Sequence, residues 1–195
     1  MKNIKKWKIL KEADVSPSKW FPVFQHTVEL PNGTVIDDYF ISRMIHAVMV
    51  LPITKGNKIV FTKQYKHGLG EITLELPAGF QQEGKTPEES ALAELEEEVG
   101  IKAEASDLIR IGEVSNVPTK IMHIVHCYLV RNAEFNPKQN LEVTEDIEIV
   151  AVSPQETLKM IKEGKIWVAD TVACVMKASL LYPEIFAGFD RESKK

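Results

Sequence analysis

Residues 75–80 read Glu-Leu-Pro-Ala-Gly-Phe, and after a short loop residues 94–101 read Glu-Leu-Glu-Glu-Glu-Val-Gly-Ile. A rigid turn followed by an acidic helix constrains this chain more than any other feature. Thr86 suits the helix N-cap, Pro87 the first helical position, and Glu89 the reciprocal place in a capping box. Gly100 suits the left-handed residue that closes the helix. At about 100° per residue, Glu94, Glu97 and Glu98 share one arc, whereas Glu96 points elsewhere. Leu92, Leu95 and Val99 form a separate apolar stripe that can hold the helix against a core. Crowded carboxylates repel one another and raise each other's pKa unless a cation neutralises them. A hard divalent ion that prefers oxygen ligands, Mg²⁺ or Mn²⁺, meets that need.

The rest of the chain places this helix in an α/β context. Residues 22–30 and 35–41 alternate in polarity around a Pro-Asn-Gly turn, which predicts a hairpin. Residues 46–53 are a continuous apolar run, the mark of a strand covered on both faces. Further strands are expected over 58–65, 72–76, 107–113, 122–130 and 145–152. Ser153 opens a helix with a second capping box and Gly164 ends it. A final helix is expected over 170–181, stopped by Pro183, with a frayed tail at 191–195.

Composition excludes several classes. The chain has 195 residues, enough to bury a core without disulfides or a structural metal. Lys plus Arg number 24 against 28 Asp plus Glu, a net charge of −4, so the basic excess that a nucleic acid polymer requires is missing. No apolar stretch reaches membrane-spanning length, and no apolar run follows the Lys-rich start as it would in a signal peptide. Cys127 and Cys174 sit in apolar surroundings and read as buried thiols, not a disulfide. These features lead us to expect a soluble cytoplasmic protein with no membrane partner.

The turn and helix together resemble the Nudix box, G-x5-E-x7-R-E-U-x-E-E-x-G-U, where U is a bulky aliphatic residue. It runs from Gly79 through Glu94, Leu95, Glu97, Glu98 and Gly100 to Ile101. Lys85 stands where the box has Glu, and Ala93 where it has Arg. The preceding Glu-Leu-Pro-Ala-Gly and the upstream Lys-Gln-Tyr-Lys at 63–66 are similar to the ADP-ribose pyrophosphatase branch. The resemblance implies an α/β/α sandwich of mixed sheet over residues 45–195, with residues 1–44 as a β-hairpin extension for dimerisation or substrate cover.

The resemblance also implies a chemistry: hydrolysis of the diphosphate of a small-molecule nucleotide, a nucleoside diphosphate sugar such as ADP-ribose. Glu94, Glu97, Glu98 and the carbonyl of Ala78 would hold Mg²⁺, with Mn²⁺ as an alternative. Glu97 and Glu98 would also be catalytic, and Gly79 would let the backbone approach the phosphates. A general base is expected from a loop after the box, where Glu142, Glu145 and Asp146 lie and Glu145 matches best. Lys66 and, more weakly, Arg43 are candidates to bind substrate. Residues 116–120 lack the acid that the ADP-ribose enzymes carry there. Trp20, Phe21 and Tyr39 read as core or dimer packing, and His46, His123 and His126 as packed histidines. A homodimer is expected. The alternatives are a non-catalytic nucleotide-binding module and a Nudix hydrolase of another nucleotide class. In either branch, Lys85 and Ala93 read as a relaxed structural brace.

Overall fold

The computed structural model describes residues 3–134, 138–141 and 144–187, which fall into two units. Glu142 and the tail beyond 187 lie outside the described residues.

The first unit joins residues up to Ile45 with residues Ser115–Ile124. Strand β1 (Lys8–Asp14) pairs antiparallel with β2 (Val23–Glu29), which pairs antiparallel with β3 (Val35–Arg43). The expected hairpin is therefore the centre of a larger sheet. Strand β1 is exposed along almost its whole length, so no alternation of polarity marks it in the sequence. At the hairpin turn Gly33 takes φ 85°, and the Asn32 side chain accepts from the Thr34 N–H at 3.0 Å.

A returning segment completes this sheet. Val117 holds φ 49°, and the turn it makes is closed by the Lys120 N–H donating to its carbonyl at 3.0 Å. Left-handed backbone is unfavourable for a β-branched residue by about 1–2 kcal/mol. Val117→Gly is therefore expected to raise stability by about 0.5–1 kcal/mol after the glycine's own unfolded-state entropy is subtracted. Thermal unfolding measures the gain, and no gain would mean that the strain is relieved elsewhere.

The second unit is built on one strand. Residues 46–53, expected as a doubly covered strand, form the core of β4 (Ala47–Thr54). Val48 and Val50 point to one face, and Met49, Leu51 and Ile53 to the other, each set buried in its own apolar cluster. This explains why the run is continuously apolar. Around β4 the sheet adds β5 (Ile59–Lys66), β6 (Glu71–Glu75), β7 (Ala78–Phe80) and β8 (Ile109–Val114). The long strand expected over 122–130 is instead two. β9 (Ile121–Met122) runs parallel to β3 in the first unit, and β10 (Val125–Ala133) runs parallel to β4 in the second. The main path is completed by β11 (Ile147–Val152), in the order β11-β5-β4-β10-β8.

Helices cover both faces of this sheet. α1 (Pro87–Val99) packs through Ala91, Leu95 and Val99 on the Val48 face. α2 (Pro154–Lys162), α3 (Ala169–Leu181) and α4 (Pro183–Phe186) lie on the Met49 face, where Cys174, Val175, Ala178 and Phe186 are buried. The α/β sandwich expected from the sequence is the observed fold. Pro183, expected only to stop a helix, also begins the short α4, because a fixed φ suits a first helical turn. The two cysteines are free and buried. Among the described residues no helix is long and apolar enough to cross a membrane.

Candidate active site

The N-cap of α1 forms as its residues predict. Thr86 accepts from the Glu89 N–H at 3.2 Å, and the Glu89 carboxylate accepts from the Thr86 N–H at 2.8 Å. At the other end Gly100 takes φ 66° and donates back to the Glu96 carbonyl. The apolar stripe is rotated by about one position from the expected one: Ala91 is buried, while Leu92 is only half-buried. A small alanine lets the helix sit close to the sheet, and that rotation carries Glu98 inward.

Glu98 is the centre of the site. It is only 2 % exposed. Its Oε2 accepts the Ala78 backbone N–H at 2.9 Å, which ties the helix to β7. β7 is itself paired to β4, with Ala78 opposite Met49 and Gly79 opposite Val48. Burial pushes the Glu98 carboxyl up to about 8 against the opposing pull of the Ala78 N–H. The charges of Glu94 and Glu145 push it further up, and the Lys66 ammonium draws it down. Glu94, Glu145, Lys66 and Ala78 are thus gathered around one buried carboxylate, although they come from four separate stretches of chain.

Gly79 has a more definite part than backbone approach alone. A Cβ built on it would overlap the carboxylate carbon and both oxygens of Glu94. The Glu94 carboxylate therefore occupies the space over the Gly79 backbone that any other residue would fill.

Glu97 is half-buried, and its carbonyl accepts from the Asn140 N–H at 2.9 Å. Glu96 is exposed and pairs with Lys102 at 3.0 Å, on the opposite side from the carboxylate group. Asp146 is exposed. Arg43 belongs to the first unit, where its guanidinium reaches Glu12 at 2.7 Å and lies 4.2 Å from the Phe24 ring. Tyr39 is also engaged in that unit, donating to the Thr119 carbonyl at 2.6 Å and standing edge-on to Trp7. Trp20 is 78 % exposed and is not core. Of the histidines expected to be packed, His46 is exposed, its ring 6.1 Å from that of His126, and the half-buried His126 lies 3.4 Å from Glu113. His123, also half-buried, makes a 2.6 Å bond to the Ile45 carbonyl.

The two box departures are also placed. The Lys85 ammonium donates to the Gln82 side chain and bears only through its charge on Glu89, whose carboxylate is held by Thr86. Ala93 is half-buried. Neither position leaves a buried charge without a partner. Restoring both family residues, Lys85→Glu with Ala93→Arg, is expected to be better than the sum of the two single changes. The coupling in a double-mutant cycle should be roughly 0.5–2 kcal/mol in thermal stability. Strict additivity would mean that the two side chains do not meet.

Nothing in the residue pattern marks Gln139, yet its side-chain amide reaches both α1 and β11. A polar residue in a loop carries no periodicity by which to be found. A cleft of about 510 Å³ opens there, lined by Glu96, Gly100, Lys102, Lys138, Gln139 and Asn140. None of the gathered carboxylates lines it, so it is not where phosphate chemistry would occur.

Among the described residues no three His, Cys, Asp or Glu side chains form a ready-made cation cage. The donor set nevertheless fits a hard divalent ion. Its members are carboxylate oxygens and the Ala78 carbonyl, the central carboxylate is buried, and the like charges that push its pKa up call for a counter-charge.

Comparison with known proteins agrees with this geometry. The NUDIX domain profile matches residues 42–172, and that of the nucleoside diphosphate sugar hydrolase N-terminal domain matches residues 7–42. The ADP-ribose pyrophosphatase of Bacillus subtilis (strain 168) is 31% identical over 181 residues, covering 92% of this chain and 96% of that one. The methanol dehydrogenase activator of Bacillus methanolicus is 34% identical over 156 residues, covering 78% and 82%. A crystal structure of an ADP compounds hydrolase superposes with a TM-score of 0.82 at 22% identity, over 94% of this chain and 98% of that one, which establishes the shared fold. The matched span contains both the carboxylate helix and the strand to which Glu98 is bonded, and the chain belongs to the Nudix family.

Proposed function

We propose that this protein is a divalent-metal-dependent hydrolase of nucleoside diphosphates linked to a sugar, with ADP-ribose as the leading substrate. Products would be a nucleoside monophosphate and a sugar phosphate. The observation that carries this reading is the buried Glu98, bonded to Ala78 and surrounded by Glu94, Glu145 and Lys66. Relatives named as ADP-ribose and ADP-sugar pyrophosphatases support the substrate class.

Water attacks one phosphorus, the bridging P–O bond breaks, and the attacking water loses a proton. When bound, Mg²⁺ (or Mn²⁺) neutralises the diphosphate oxygens and acidifies water. Glu94 and Glu98, one turn apart, would hold the ion together with the Ala78 carbonyl, and Glu97 would hold a second ion or orient the water. Glu145 takes the proton as general base. Lys66 offers its ammonium to a phosphate oxygen, a point charge without the planar fork of an arginine. Gly79 keeps the space in which the Glu94 carboxylate sits. We assign Arg43 to bracing β1 against β3 through Glu12, in preference to its expected contact with substrate.

We place the protein in the cytoplasm, where the free thiols Cys127 and Cys174 would stay reduced. Residues 1–44 we read as a dimerisation or substrate-covering piece, since Ile9, Leu10 and Trp20 expose apolar surface on them. Mass measurement in solution tests the homodimer.

The test of activity is incubation with ADP-ribose and Mg²⁺, followed by separation of products. AMP and ribose 5-phosphate are expected, together with turnover of other nucleoside diphosphate sugars in a panel. Saturable binding without any product would favour the non-catalytic module, a reading to which the Lys85 and Ala93 departures lend some support.

A further inference from the structure

The C-terminal end of α1 is finished by a distant loop. A helix leaves its last carbonyls without internal partners. Here Gly100 and Ile101 donate back to the Glu96 and Leu95 carbonyls, which serves the first of them. The next two, on Glu97 and Glu98, are taken by residues of segment 138–141: the Asn140 N–H donates to the Glu97 carbonyl at 2.9 Å, and the Gln139 Nε2 donates to the Glu98 carbonyl at 2.8 Å. The Gln139 amide carries two hydrogens, and the second faces the Ile147 carbonyl at 3.3 Å. Both acceptors are carbonyls, so the NH₂ group and not the oxygen must face them.

One side chain thus spans the residue at the centre of the carboxylate group and the first residue of β11, two positions after Glu145. We propose that Gln139 is a positioning residue: by bridging the Glu98 and Ile147 carbonyls, it fixes the separation of the Glu98 and Glu145 carboxylates. The proposal rests on the reading of Glu145 as the proton acceptor. Gln139 itself touches no reacting group. Its effect would pass through Glu145, and displacement of a positioned group by about 1 Å can lower a rate about 100-fold.

Gln139→Met keeps the length and removes both donors. In the full-length enzyme kcat is expected to fall about 10–100-fold while KM stays within about threefold, the pattern of an interaction that matters at the transition state. In a Glu145→Gln background the same change should lower kcat by less than about threefold further, because the two residues act as one unit. A purely structural cap would lower thermal stability equally in both backgrounds and reduce kcat by the same factor in each, and that additivity would overturn the proposal. Amide hydrogen exchange over residues 144–149 gives a readout without turnover, and it should quicken at least about tenfold in Gln139→Met. If the wild type hydrolyses no nucleotide, the functional reading fails, and the exchange result alone decides the bridge: unchanged protection sinks it. Should Gln139→Met fail to fold, Gln139→Asn, which can reach only one of the two carbonyls, carries the same comparisons with an intermediate effect.

Discussion

Replacing Glu98 by Gln is expected to lower turnover of ADP-ribose by at least ~100-fold while leaving the fold intact. The amide keeps an oxygen to accept the Ala78 N–H, so the link between α1 and β7 survives. What disappears is a charge at the point where Glu94 and Glu145 also converge. The control is Glu96→Gln: that side chain is exposed and paired with Lys102, and its loss should change the rate no more than about twofold. Equal losses at the two positions would refute the division of the helix into a metal face and a solvent face.

The same residue makes a prediction about pH. In the metal-free protein the Glu98 carboxyl is raised from 4.5 to about 8, so the folded state holds this proton more tightly than the unfolded state. The associated stability is complete below pH 4.5 and is lost progressively as pH rises through about 8. Its ceiling is a few kcal/mol, at about 1.4 kcal/mol per unit. Metal-free protein should therefore melt lower at about pH 8.5 than at about pH 6.5, and Glu98→Gln should flatten that dependence, because the proton is lost as pH rises through about 8. Added Mg²⁺ favours the ionised form and should recover the loss at high pH. An identical slope in wild type and variant would locate the titrating group elsewhere.

The second large effect is expected at a residue with no functional group. Gly79→Ala puts a methyl group where the Glu94 carboxylate now lies. The Gly79 backbone has no left-handed φ, so alanine meets no conformational obstacle and the protein should fold. The Glu94 side chain is flexible and can move aside, but only by leaving its place beside Glu98. We expect turnover to fall roughly 30–100-fold, close to the effect of Glu94→Gln, with the melting temperature nearly unchanged. The two changes combined should be little worse than either one, since both remove the same carboxylate from the same place. A Gly79→Ala variant with full activity would mean that Glu94 works from another position.

Much of this was legible without coordinates, for identifiable reasons. Local backbone chemistry acts over a few residues, so Thr86, Pro87, Glu89 and Gly100 mark both ends of α1, and the observed caps match them. The continuous apolar run of β4 reports a strand covered on two faces, which is what helices on both sides of the sheet provide. Helical periodicity separates Glu96 from the other carboxylates. Strand β1, by contrast, is specified by its pairing with β2 and not by its own exposed residues. The junction between β9 and β10 falls inside one run of strand-forming residues and is not marked there, because the break depends on which sheet each half joins.

At the site the sequence determined which residue types would sit on one helix at metal-ligand spacing, since 3.6-residue periodicity is a property of the chain alone. Only the tertiary structure decided that Glu98, and not Glu94 or Glu97, is the buried one. That follows from α1 meeting the sheet through the small Ala91, a rotation no periodicity argument can set. Tertiary structure alone likewise brought Lys66 and Glu145 to bear on Glu98, put Glu94 over Gly79, and turned the Gln139 amide into a bridge. Electrostatic and steric neighbours act through a few ångströms of space, and residues on separate elements acquire that proximity only when the sheet has formed.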